Sequence, residues 1–107
     1  MTTIRFNRTR GRLTGFSCSG HSGYAEAGED IVCAAISSAV TMAECIINDV
    51  FRAGAEVSVD EISTRISLKL PAHCERQAEC EDVLQGFLLC MKELQTDNPD
   101  YLTVLEV

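Results

Sequence analysis

Hydrophobic and polar positions change period several times along this chain. Ile4 and Phe6 alternate with Arg5 and Asn7, which predicts a short strand. Arg10-Gly11 is a turn, and Leu13 to Ser19 is a partner strand with Phe16 and Cys18 on one face. Ser19 to Gly28 contains Gly20, Gly23 and Gly28, which predicts a mobile connection whose glycines adopt backbone angles closed to other residues. Asp30 then reads as a helix N-cap. The stripe Val32, Ile36, Val40, Ala43, Ile47, Val50 predicts one apolar helical face, closed by Gly54 near Arg52.

Val57 and Val59 predict a strand over residues 55–60. Ile62, Thr64, Ile66, Leu68 and Leu70 give a period-two run that ends at Pro71, joined to the preceding strand around Asp60-Glu61. A second helix is predicted over Glu75 to Thr96, with Cys80, Leu84, Phe87, Met91 and Leu94 on its apolar face and Asn98-Pro99 as its stop. Tyr101, Thr103 and Leu105 alternate with their neighbours in a last strand. The order is β-β-α-β-β-α-β. The fold class that satisfies it is α+β: a mainly antiparallel sheet with two helices packed on it.

Composition narrows the function classes. The chain has 107 residues, 46% of them hydrophobic and 23% charged, which fits one folded domain over 1–107 and excludes a disordered chain. Lys plus Arg is 9 and Asp plus Glu is 16, a formal charge of −7, so nucleic acid is a poor partner and a basic one is favoured. The N-terminus carries no secretory pattern, and no uninterrupted apolar stretch is long enough to suggest a membrane span. The expectation is a cytoplasmic protein without a membrane partner. Of the six cysteines, Cys18, Cys45 and Cys90 then read as core or near-core thiols. His73-Cys74 with Cys80 fits no common zinc spacing, and no metal site is expected. Glu75, Glu79, Glu81 and Asp82 read as a solvated face.

The candidate chemistry lies in Gly20-His21-Ser22-Gly23-Tyr24 and Gly28-Glu29-Asp30-Ile31-Val32-Cys33-Ala34-Ala35. With Asp30 as N-cap, Cys33 is the third helical residue, where the positive end of the helix dipole favours a thiolate. The row Cys33, Ser37, Thr41, Glu44, Asn48 is polar, which sets Cys33 at the edge of the core. A cysteine nucleophile needs a base within reach, and His21 in its glycine-flanked loop can supply one. Free N–H groups at the helix start offer an oxyanion site. On these features alone, a structural cysteine near a loop histidine remains an open alternative.

The two segments together resemble the ribosomal-processing cysteine protease family, often called Prp, whose pattern is Gly-His-x-Gly-Tyr-Ala followed by Gly-x-Asp-Ile-Val-Cys-Ala-Ala. The resemblance extends to a closing strand after Asn98-Pro99-Asp100-Tyr101. It implies a Cys–His endopeptidase, with Cys33 and His21 as the dyad. It also implies removal of an N-terminal extension from the precursor of the twenty-seventh large-subunit ribosomal protein in bacteria, a homodimer, and no cofactor. Asp30 and Ser37 match residue types common at these positions, whereas Ser22 stands where alanine is common. Asp30 either caps the helix or orients His21. Ser37 either bonds its own backbone or contacts substrate or thiol. Tyr24 either packs the loop or lines the groove. Gly20 and Gly23 flank the histidine, and the loop is expected to close on substrate. The rival reading is a non-catalytic ribosome-associated binding module. A thiol-redox protein is weaker, for want of a CxxC and of a cysteine one turn from Cys33.

Overall fold

The computed structural model describes residues 1–20 and 27–107, and side chains from residue 30 in the first helix. Alternation makes β1 (Thr2–Thr9) half-buried: Thr2, Ile4 and Phe6 face inward while Arg5 and Asn7 face solvent. The turn at Arg10 and Gly11 has positive φ at both residues, 55° and 80°, and returns the chain into β2 (Arg12–Ser19). Phe16 pairs with Phe6 and Cys18 with Ile4 across this hairpin. β3 (Glu56–Asp60) and β4 (Arg65–Lys69) form a second hairpin, and β5 (Leu102–Glu106) closes the sheet. The strand order is β3-β4-β2-β1-β5. The first three pairings are antiparallel, and β5 runs parallel to β1.

Helices α1 (Ala27–Glu44) and α2 (Gln77–Asp97) bury their stripes against this sheet. Val32, Ile36 and Val40 from α1 join Cys80, Leu84, Phe87, Leu88 and Met91 from α2 in one cluster with the inward residues of the strands. Phe6, Phe16 and Phe87 make the aromatic centre, with ring centroids 4.7–6.2 Å apart. This is the α+β arrangement that the patterning predicts.

Four local expectations are corrected. The first helix begins at Ala27, so Asp30 lies within its first turn and is not the N-cap. Ala27 and Glu29 are good helix formers and extend the helix back through Gly28. Val50 is 69% exposed. The chain from Cys45 to Val50 is π-helical, with Phe51 N–H donating to the Ile46 carbonyl, and the wider turn carries Val50 off the buried face. Ile62 and Thr64 belong to a turn rather than to β4. The Asp60 carboxylate accepts from the N–H groups of Ile62 and Ser63, and Thr64 has φ 50°. Cys45 and Cys90 are exposed rather than near-core, because each lies on the outer side of its helix.

After the π-helical turn the backbone reverses through Arg52 (φ 54°) and Gly54 (φ 74°). Asn48 fixes this reversal. Its Nδ2 donates to the Ala55 carbonyl at 3.1 Å, and its Oδ1 accepts from the Ala55 N–H at 2.8 Å. Asn48→Ala is expected to lower stability by about 1–2 kcal/mol, read from the urea midpoint, since two half-buried backbone groups lose their partner. Asn48→Asp keeps the acceptor and should lose less.

The helix Asp30–Val50, with its π-helical end, has a mean hydropathy of 1.7, enough to cross a membrane by length and composition, and a third of it is buried. Scattered polar residues interrupt this window, so no unbroken apolar run marks it. Its buried face packs on the sheet. The surplus apolarity is an outward stripe of Ile31, Ala35, Met42 and Cys45.

Candidate active site

Cys33 is the seventh residue of α1, counted from Ala27, and so lies in its second turn. The dipole effect fades within the first turn, and the free N–H groups of a helix starting at Ala27 precede Cys33 by about a turn. The third-position placement of Cys33 is therefore corrected. What surrounds its sulfur is tertiary. Cys33 is 5% exposed and lies beside the main apolar cluster rather than within it. Its Sγ is 3.7 Å from Oγ1 of Thr2 on β1.

A cavity of about 460 Å³ opens over this sulfur. One wall is the row Cys33, Ser37, Thr41 of α1, with Ile36 and Val40 beside it. The facing wall is the β3–β4 hairpin, through Val59, Asp60, Glu61, Thr64, Arg65 and Ile66. The cavity floor includes Thr2 and Cys18. An open slot between a helix and a hairpin suits an extended peptide.

Ser37 stands on the cavity wall one turn after Cys33 and is exposed. Asp30 is exposed and is not part of that wall. His21, Gly23 and Tyr24 lie outside the described residues, as does the predicted loop closure. Gly20 is described: its φ is 93°, and a Cβ there would sit 2.4 Å from the Met1 carbonyl oxygen. At Gly20 the chain is thus pressed against the start of β1, a fit open to glycine.

Two features were not foreseen from the sequence. Cys18 faces the same cavity as Cys33. Burial, and then the neighbouring Cys33 charge, push the Cys18 thiol up to about 11, so it stays neutral at neutral pH. The second is the hairpin rim. Hydrogen bonds, led by the Ser63 side chain, hold the Asp60 carboxyl below the usual carboxylate range, so a charged acid stands at the mouth. The acidic pair Asp60-Glu61 was visible as a strand joint, but nothing local tells that it faces Cys33. Elsewhere, burial and the adjacent Cys74 push Cys80 up to about 11. Among the described residues no three His, Cys, Asp or Glu side chains gather to hold a metal.

The sequence matches the family model of the cysteine protease Prp over residues 1–103. The chain belongs to the Prp cysteine protease family. As a Prp member it is a cysteine peptidase. No curated protein matches the sequence. Among solved structures, the Prp ribosomal processing protease of S. aureus in complex with a substrate peptide superposes with a TM-score of 0.88 at 18% identity, covering 100% of both chains. SMU.848 of Streptococcus mutans gives 0.88 at 24% identity, covering 100% of this chain and 94% of its own. The S. aureus protease with a covalently linked product peptide gives 0.84 at 18% identity, again covering 100% of both. At these identities the likenesses establish the Prp fold.

Proposed function

We propose that this chain is an endopeptidase whose nucleophile is Cys33 and whose base, later acid, is His21. Its substrate in this reading is the precursor of the twenty-seventh large-subunit ribosomal protein, cut to remove an N-terminal extension during ribosome assembly. The observation that carries the reading is the buried Cys33 sulfur lining an open slot, within a chain of the Prp family. The S. aureus relatives, a ribosomal processing protease held with substrate and product peptides, support the substrate class.

In this mechanism His21 takes the thiol proton of Cys33, and the Sγ attacks the scissile carbonyl carbon. The C–N bond breaks as His21 gives a proton to the leaving amine, and a thioester remains on Cys33. His21 then takes a proton from water, which attacks the thioester and frees the new carboxylate and the thiol. The reaction uses no cofactor. Asp60 and Glu61 at the slot mouth outnumber Arg65 there and favour a basic ribosomal segment. The reading places the enzyme in the cytoplasm, without direct nucleic-acid or membrane contact. Incubation with the precursor, followed by intact-mass measurement, should show one cut near its N-terminus. Co-elution with an uncut precursor would favour the binding module instead.

The proposal includes a homodimer, and the exposed stripe Ile31, Ala35, Met42, Cys45 on α1 is the face that supports it. Met42 is 66% exposed, so Met42→Glu costs the monomer little and sets like charges against each other across a two-fold contact. Light scattering after gel filtration is expected to give a dimer mass for the parent and a monomer mass for the variant. A dimeric variant would exclude this face.

A further inference from the structure

Thr2 is the one buried polar residue among the described residues, at 2% exposure. It occupies the inward row of β1, ahead of Ile4 and Phe6, where an aliphatic side chain would satisfy the pattern. A hydroxyl buried in such a row costs stability unless it is hydrogen-bonded. Its Oγ1 lies 3.7 Å from Cys33 Sγ, within hydrogen-bond reach for sulfur.

The hydroxyl is also held in place. Thr2 N–H donates to the Tyr101 carbonyl at 2.9 Å, and Thr2 pairs with Leu102 of β5. On the other side, Gly20 closes on the Met1 carbonyl. A donor fixed by the sheet meets a sulfur fixed by the helix. A thiolate carries no proton, so when Cys33 is charged the hydroxyl must be the donor. Cys18, on the cavity floor, has its thiol pushed up to about 11 and stays protonated at neutral pH.

We propose that Thr2 is a positioning residue: its hydroxyl donates to the Cys33 thiolate, stabilises the charged sulfur and aims it into the cavity. The catalytic consequence rests on Cys33 being the nucleophile, whereas the hydrogen bond does not.

The test compares Thr2→Val, which keeps the shape and removes the donor, with Thr2→Ser, which keeps the donor. Iodoacetamide labelling of Cys33, mapped by mass, reads the sulfur's charge without any substrate. At pH 7 the Val variant should label about three- to tenfold more slowly than the parent, and Ser should restore the rate, since hydrogen bonding to the charged form favours it. Raising the pH should bring the two rates together, since excess hydroxide removes the thiol proton with or without the hydroxyl donor. On the precursor, kcat should fall in the same ratio with KM unchanged. Equal labelling of Val and parent at pH 7 would overturn the proposal. Slower labelling without a fall in kcat, while Cys33→Ala is inactive, would overturn the catalytic role. Slower labelling with an active Cys33→Ala would support the hydrogen bond and refute the nucleophile instead. A loosened fold moves the signal the other way, because both Cys33 and the buried Cys18 would label faster. Thr2→Ala then supplies the same comparison with a smaller side chain.

Discussion

Cys33→Ala is expected to lower cleavage of the ribosomal precursor by at least about a thousandfold, because no other group in the mechanism forms the thioester. The loss should be chemical and not structural. Cys33 lies beside the main cluster, so little packing is lost, but the Thr2 hydroxyl loses its sulfur partner, and urea unfolding should show a stability loss of about 1–2 kcal/mol with the protein still folded. Cys33→Ser should be equally inactive, since an alcohol in this setting ionises far less readily than a thiol. The internal control is Cys18, on the same cavity floor. Cys18→Ala should keep turnover while losing about 1 kcal/mol of stability, because that thiol, pushed up to about 11, is no nucleophile at neutral pH. Measured turnover in purified Cys33→Ala would remove the assignment. An active Cys33→Ala beside an inactive Cys18→Ala would move the nucleophile to β2.

Gly20→Ala is expected to disturb both the fold and the candidate site. Gly20 has φ 93°, which an L side chain rarely adopts, and its Cβ would lie 2.4 Å from the Met1 carbonyl oxygen. Something must move. Either the first residues of β1 are displaced, which takes Thr2 from Cys33, or the backbone at residue 20 rotates and redirects the chain at its entry to His21. The expected loss is about 2–4 kcal/mol in thermal or urea unfolding, with kcat falling as well. Gly86 is the matched control. It sits exposed in α2 with nothing within 4 Å of an added methyl, so Gly86→Ala should raise stability by about 0.5–1 kcal/mol and leave turnover alone. Equal, small effects at both glycines would show that the Met1–Gly20 approach relaxes freely.

These two positions divide differently between what was readable and what was not. Cys33 and its polar row were legible, because helical periodicity separates Val32-Ile36-Val40 from Cys33-Ser37-Thr41 without any tertiary information. The row does line the cavity. Gly20 was legible as a flexible residue and not as a close contact, because the Met1 carbonyl reaches it only through the β1–β2 pairing. The helix start was misplaced by four residues. Asp30 has the chemistry of an N-cap, but Ala27 and Glu29 extend the helix past it, since capping competes with propensity over a single turn.

The sequence by itself determined the order and type of the elements, the buried face of each helix, and membership of the Prp family through the words around residues 20–35. Those are properties of local spacing, and spacing is written in the chain. Only the tertiary structure decided what surrounds the candidate nucleophile. Thr2, Cys18, Ser37 and the Asp60–Arg65 turn come from β1, β2, α1 and the β3–β4 hairpin, and they meet at one cavity because β4 pairs with β2 and both helices lie on the same face of the sheet. No pattern within a single segment encodes that meeting. It follows from burying several amphipathic faces at once, and this places a hydroxyl from residue 2 against a thiol from residue 33.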